Sequence, residues 1–222
     1  MSVQNHAYDD RRTAGIDLAE HLSRFKGQDN VVVLALPRGG VPVAFEVARA
    51  LDAPLDIFLV RKLGVPGHRE LAMGAIASGG VRVLNGDVVS WYGIPEAVID
   101  AVAEEEAAEL ARRERLYREG RAALELRDRV VILVDDGLAT GSTMRAAVQA
   151  VRAQSPARVV VAVPVASPDT CREFTSVADE IVCARTPSHF AAVGQWYRDF
   201  SQTSDEEVCE LLQKASHATK HS

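Results

Sequence analysis

The chain has 222 residues, 47% of them hydrophobic and 25% charged, with a formal net charge of −6 at pH 7. That length and apolar content suit a single α/β domain over 1–222 whose core needs no metal or disulfide staple. The acidic balance argues against a nucleic-acid partner, and apolar runs too short to span a bilayer argue against a membrane one.

The first residues, MSVQNHAYDDRR, are polar and lack an apolar signal core, so a soluble cytoplasmic protein is expected. The three cysteines, Cys171, Cys183 and Cys209, have no CxxC spacing and read as reduced thiols rather than a disulfide framework or zinc site.

Short β-branched runs then alternate with helical spacings, the pattern of βαβ units in a mostly parallel sheet flanked by helices. The first strand is VVVLALP (31–37), followed by the turn Arg38, Gly39, Gly40 and a helix over 41–51. A strand over 55–60 delivers Arg61 and Lys62, and the glycine-rich stretch GVPGHRELAMGAI (64–76) reads as a mobile segment. A further core strand is expected at 81–85.

One long helix is predicted over 95–126, with a break near Gly120, inside a helical insertion spanning about 86–128. Pro95 suits its first turn. Glu109 with Arg113, and Glu114 with Arg118, form pairs four residues apart in the favourable order. Its arginines (Arg112, Arg113, Arg115, Arg118 and Arg121) therefore read as a salt-bridged, solvated face in preference to a phosphate- or RNA-binding one.

Strands at 129–136, 158–166 and 180–185 follow, with a helix over 142–154. The region from about 186 to 215 forms a small C-terminal tail or hood. A last short helix there is capped by Thr203 or Ser204, with Glu206 and Glu207 in its first turn and fraying from 215.

The most informative stretch is VVILVDDGLATGST (130–143). Its strand carries Asp135 and Asp136 to the carboxyl edge of the sheet, where open α/β folds bind ligands. Gly137, Leu138, Ala139, Thr140 and Gly141 then lead into a helix at Ser142 and Thr143. The glycines allow close backbone approach. Successive amides at a helix N-terminus make an anion nest suited to phosphate. This is neither a GxxxxGK[ST] nor a GxGxxG loop. Carboxylates do not bind phosphate, so the acids must face another part of the ligand. A ribose diol fits, because carboxylates accept hydrogen bonds from hydroxyls.

VILVDDGLATGST resembles the phosphoribosyl pyrophosphate (PRPP) motif of type I phosphoribosyltransferases. The resemblance implies a Rossmann-like fold and transfer of the 5-phosphoribosyl group to a nitrogen heterocycle with release of pyrophosphate. It implies Mg²⁺ bridging pyrophosphate and ribose oxygens, so that Asp135 and Asp136 serve the metal only indirectly, through ligand or water. The turn at Arg38, Gly39 and Gly40 is similar to the family's pyrophosphate loop, including a non-proline cis peptide. Arg61 and Lys62 stand where the family places a cation against PRPP. The catalytic residues expected are Asp135, Asp136, Arg61 and Lys62.

The family's flexible catalytic loop has no obvious counterpart before the 130–143 motif. Residues in 61–69 or an arginine from 112–121 are the alternatives, with His68, Arg69 and Glu70 in the mobile stretch. In the hood, Phe190, Trp196 and Tyr197 either stack on a planar acceptor or anchor the tail. His189 and Asp199 are edge-binding alternatives. A homodimer is a further expectation. A non-catalytic PRPP- or nucleotide-binding regulator of the same fold is the competing function, and a PRPP-forming synthase lacks a recognisable ATP site. A glycosidase is excluded, since its two carboxyls stand on opposite sides of a sugar.

Overall fold

The computed structural model describes residues 7–218. Five parallel strands form the central sheet in the order β2-β1-β6-β7-β8. They are β1 (Val31–Ala35), β2 (Leu55–Ile57), β6 (Val130–Val134), β7 (Arg158–Val165) and β8 (Glu180–Arg185). All of β1 and seven of the eight residues of β7 are buried, as expected for strands covered on both faces.

One face of the sheet packs against α1 (Arg11–His21), α2 (Gly40–Leu51), α4 (Glu96–Arg118) and α7 (Asp205–Ala218). The other packs against α5 (Ser142–Arg152) and α6 (Pro168–Phe174). Alternate residues of β1 divide between the two: Val31, Val33 and Ala35 on the first face, Val32 and Leu34 on the second. The period-two geometry of a strand produces that division.

The stretch expected to be a mobile segment is instead an antiparallel sheet of β3 (Val60–Val65), β4 (His68–Ala77) and β5 (Val81–Leu84). The strand foreseen at 81–85 therefore exists but pairs with β4, not with the parallel sheet. Register shifts at Leu63/Gly64 and Gly64/Val65 interrupt the β3–β4 ladder, which hides its alternation from a periodicity reading. Met73 and Leu63 are fully buried, so one face of this hairpin belongs to the core.

After β5 come α3 (Gly86–Tyr92) and α4. The long helix stops at Arg118 rather than 126, where Glu119 and then Gly120 take left-handed backbone (φ 49° and 83°). Both foreseen pairs form, Arg113–Glu109 at 2.8 Å and Arg118–Glu114 at 3.1 Å. Arg118 also grips Asp56 at 3.1 Å and the Ile57 carbonyl, which ties α4 to β2.

Ser204, not Thr203, caps α7 by accepting from the Glu207 amide at 3.1 Å. The helix continues to Ala218, past the expected fraying point at 215; residues 219–222 lie outside the described residues. The reduced-thiol reading is also corrected. Cys171 and Cys183 are joined as a disulfide, because α6 packs on β8 and brings their Cα atoms to 6.8 Å. Cys209 is the free cysteine among the described residues. Within the same residues no helix is long and apolar enough to cross a membrane.

Candidate active site

The site follows from the pairing of β1 with β6. Ala35 is in register with Val134, so the two chains leave the carboxyl edge side by side. The Leu36 amide donates to the Val134 carbonyl at 2.9 Å, extending the ladder one step. Beyond it the chains diverge into the turn at 38–40 and the acid pair. The Pro37–Arg38 peptide is cis, one residue earlier than the Arg-Gly-Gly step itself.

The turn lies directly on the acids. A Cβ at Gly39 would stand 2.1 Å from Asp136 Oδ2, and one at Gly40 would stand 2.8 Å from the Val134 carbonyl oxygen. Glycine is required at both positions by close approach, not by φ. The Asp136 amide donates to Asp135 Oδ1 at 2.8 Å. Burial pushes the Asp135 carboxyl well above its ordinary range, and the neighbouring charge of Asp136 adds to this. Burial raises Asp136 as well, while the Arg11 guanidinium pulls it back down.

The segment after the acid pair is held from behind. Leu138 donates its amide to the Val165 carbonyl at 2.9 Å, and Thr170 Oγ1 donates to the Ala139 carbonyl at 2.7 Å. Gly141 has φ +70°, and a Cβ there would meet the Phe174 ring at 2.5 Å. Ala139, Thr140, Ser142 and Thr143 remain exposed. No side chain caps the start of α5, which leaves its first amides without a side-chain acceptor. Such an edge, with two carboxylates beside an uncapped helix start, can hold hydroxyls and an anion together.

The expected cations separate. Arg38, about one-third exposed, reaches Asp205 at 3.5 Å, and Asp205 also accepts from the Tyr117 hydroxyl at 2.6 Å. Hydrogen bonding by Tyr117 and the charge of Arg38 hold the Asp205 carboxyl below its ordinary range. Arg61 turns to α4 and pairs with Glu106 at 2.6 Å. Lys62 lines a cleft of about 660 Å³ between the antiparallel sheet and α5, together with Asn85, Ser142, Arg145 and Gln149. Lys62 thus shares its cleft with Ser142 at the start of α5, whereas Arg61 is committed elsewhere.

Of the lid alternatives, Arg112 and Arg113 pair with Glu109, Arg118 with Asp56 and Glu114, and Arg121 with the Leu212 and Tyr117 carbonyls. His68 lies 6.2 Å from the Tyr92 ring; the side chains of Arg69 and Glu70 lie outside the described residues. In the hood, Tyr197 is buried and donates to the Asp136 carbonyl at 2.6 Å, so it anchors the tail. Phe190 and Trp196 pack on the same cluster around Tyr8. Asp199 accepts from the Ser201 amide at 2.9 Å, which holds its carboxyl below the ordinary range.

Three contacts had no signal in the sequence: Arg11 on Asp136, Tyr197 on the Asp136 carbonyl, and Thr170 on Ala139. Helix α1 was itself not foreseen; the structure starts it at a capping box between Asp10 and Thr13. Among the described residues no group of three or more His, Cys, Asp or Glu side chains is gathered to hold a metal.

Comparisons with known proteins show the family. The phosphoribosyl transferase domain model matches residues 6–199, and the chain belongs to that family. It is 52% identical over 208 residues to a Mycobacterium tuberculosis protein named a putative phosphoribosyl transferase, seen in two strains. That match covers 94% of this chain but 47% of the relative, so the chain spans about half the length of the curated proteins it resembles. A crystal structure of TT1426 from Thermus thermophilus is similar with a TM-score of 0.84 and 44% identity. The match covers 94% of this chain and 98% of that one.

Proposed function

We propose that the protein is a PRPP-dependent phosphoribosyltransferase acting on a nitrogen heterocycle of the nucleobase kind. The observation that carries this reading is the meeting of the acid pair, the Gly39–Gly40 turn and the uncapped start of α5 on one sheet edge. The loop at 137–143 takes the 5′-phosphate through its amides and the hydroxyls of Thr140, Ser142 and Thr143. Asp135 and Asp136 accept from the ribose diol. Amides of the 38–40 turn and the Arg38 guanidinium receive the diphosphate, with Asp205 released from Arg38 as the anion arrives.

The acceptor nitrogen attacks C1 of PRPP while the bond from C1 to the diphosphate oxygen breaks, its electron pair leaving on that oxygen. Positive charge grows on the ribose in the transition state, and the buried carboxylates beside the diol stabilise it electrostatically. Anchoring of the remote 5′-phosphate turns binding energy into orientation at C1. No nucleophilic side chain takes part. The donor set suits Mg²⁺, which is commonly held by one or two carboxylates together with substrate phosphates and waters. When bound, the ion would neutralise the leaving diphosphate.

The test is pyrophosphate release from PRPP and Mg²⁺ with a panel of purine, pyrimidine and related bases. Release with at least one base is expected, and Asp135→Asn should weaken PRPP binding by about tenfold or more. Binding without turnover on any base would favour a non-catalytic regulator. An Asp135→Asn protein with unchanged PRPP affinity would remove the site assignment.

A further inference from the structure

Arg11 is the first residue of α1, and its side chain leaves the helix from a fixed point. The Asp10 carboxylate accepts from the Thr13 amide at 2.7 Å, and the Asp10 amide donates back to Thr13 Oγ1. From there the Arg11 guanidinium makes three kinds of contact. Nε donates to Asp136 Oδ2 at 2.9 Å, and one Nη donates to the Ser201 carbonyl at 2.7 Å. Its plane lies 4.1 Å from the centre of the Phe200 ring. Only 12% of the side chain is exposed.

The ion pair rests on the pyrophosphate-type turn with no space between them. A Cβ at Gly39 would meet Asp136 Oδ2 at 2.1 Å and Arg11 Nε at 3.2 Å. The Tyr197 hydroxyl fixes the backbone of the same aspartate by donating to its carbonyl at 2.6 Å. The Tyr197 and Phe200 rings lie 5.1 Å apart at a tilt of 32°, so residues 197–201 form a strap with two attachments to Asp136, one direct and one through Arg11. A planar, multiply donating cation on a ring face is a role that lysine cannot reproduce. An exposed pair of this kind would contribute little; this one is enclosed and hydrogen-bonded on several sides.

We propose that Arg11 is a positioning residue of the ribose site, holding Asp136 against Gly39 and tying it to the 197–201 strap so that hood and ribose grip form one unit. The ribose part rests on the reading of 135–143 as a PRPP site. Arg11 occupies one oxygen of Asp136 and leaves the other for a ligand hydroxyl. Seating of the strap and alignment of the carboxylate are then a single event, which links the region nearest the acceptor to the grip on the donor.

The experiment combines PRPP affinity with amide hydrogen exchange at 197–201 in Arg11→Gln, Arg11→Lys, Asp136→Asn and the Arg11→Gln/Asp136→Asn double variant. Arg11→Gln should lower PRPP affinity by about tenfold or more and speed exchange across the strap. The double variant should be little worse than Asp136→Asn alone, because Arg11 acts through that carboxylate. Arg11→Lys separates the two duties: the charge on Asp136 is restored and most of the affinity returns, while the strap still exchanges fast. Arg12→Gln, at an exposed neighbour paired with Glu46, controls for general loosening of α1 and should change neither readout.

Wild-type affinity within twofold after Arg11→Gln, unaltered strap exchange, or multiplying effects in the double variant would each overturn the proposal. A wild-type protein that binds no PRPP would remove the phosphoribosyl reading and the ribose role with it. Strap exchange in the ligand-free protein would still decide whether Arg11 ties the hood to Asp136.

Discussion

The two sheets of this molecule use their side chains differently. Strands β1, β6 and β7 lie between two layers of helices and bury nearly every residue, whichever face it points to. Strand β5 has no fully buried residue, and β3 buries only Leu63 and Val65. The parallel sheet is thus a rigid platform that delivers 36–40 and 135–143 to one edge. The antiparallel sheet is a half-covered flap that carries Lys62 to a cleft beside Ser142. Tight burial stands behind the 36–40 and 135–143 segments, and looser packing beside them.

Truncation on the two sheets tests this contrast most strongly. Ile132 in β6 is completely buried between β1 and β7. Ile132→Ala should lower the unfolding free energy by about 2–5 kcal/mol. Val83→Ala in β5, where the side chain is half-buried, should cost about 1 kcal/mol or less. Denaturant midpoints at unchanged m-value measure both. Equal losses would mean that the flap is as firmly built into the core as the platform.

The same contrast decides what could be read from the sequence. Continuous apolar runs such as VVVLALP and RVVVAVPVA announce doubly covered strands, and four of the five parallel strands were legible nearly to the residue. The hairpin at 60–77 was not, because partial burial, a bulged ladder and glycines at 64, 67 and 74 blur a period of two. Val81–Leu84 shows how periodicity identifies a strand without naming its partner. The site divides along similar lines. The acid pair and the loop that follows it are contiguous, so the motif is written locally. Arg11 and Asp136 are 125 residues apart, and Tyr197 lies 61 residues from the carbonyl it binds. Such contacts exist only once the chain has folded.

A smaller effect should appear at the edge of the platform itself. Burial raises the folded-state pKa of Asp135, so the native protein holds that proton more tightly than the unfolded chain does. The contribution to stability is therefore greatest below the ordinary carboxylate value and declines as pH rises through the raised one. Asn mimics the protonated carboxyl and escapes that decline. Asp135→Asn should therefore gain in Tm over wild type as pH rises above the ordinary aspartate range, while binding PRPP less well if the proposed reading holds. The advantage should disappear near pH 3, below the ordinary aspartate range. A Tm difference independent of pH would show that the charge on Asp135 is not the cause.

The smallest effect belongs to the flap. Arg82 in β5 reaches Asp100 on α4 at 2.5 Å, yet their side chains are 33% and 51% exposed. Water solvates both charges well when the pair opens, and ordering the long arginine side chain offsets much of the attraction. Arg82→Ala should therefore change stability by no more than about 0.5 kcal/mol, and that difference should vanish at 1 M salt, where the screening length falls to about 3 Å. A larger loss that survives high salt would mean that this pair pins the flap to α4 through packing of the arginine stem. The antiparallel sheet would then share the rigidity of the parallel one.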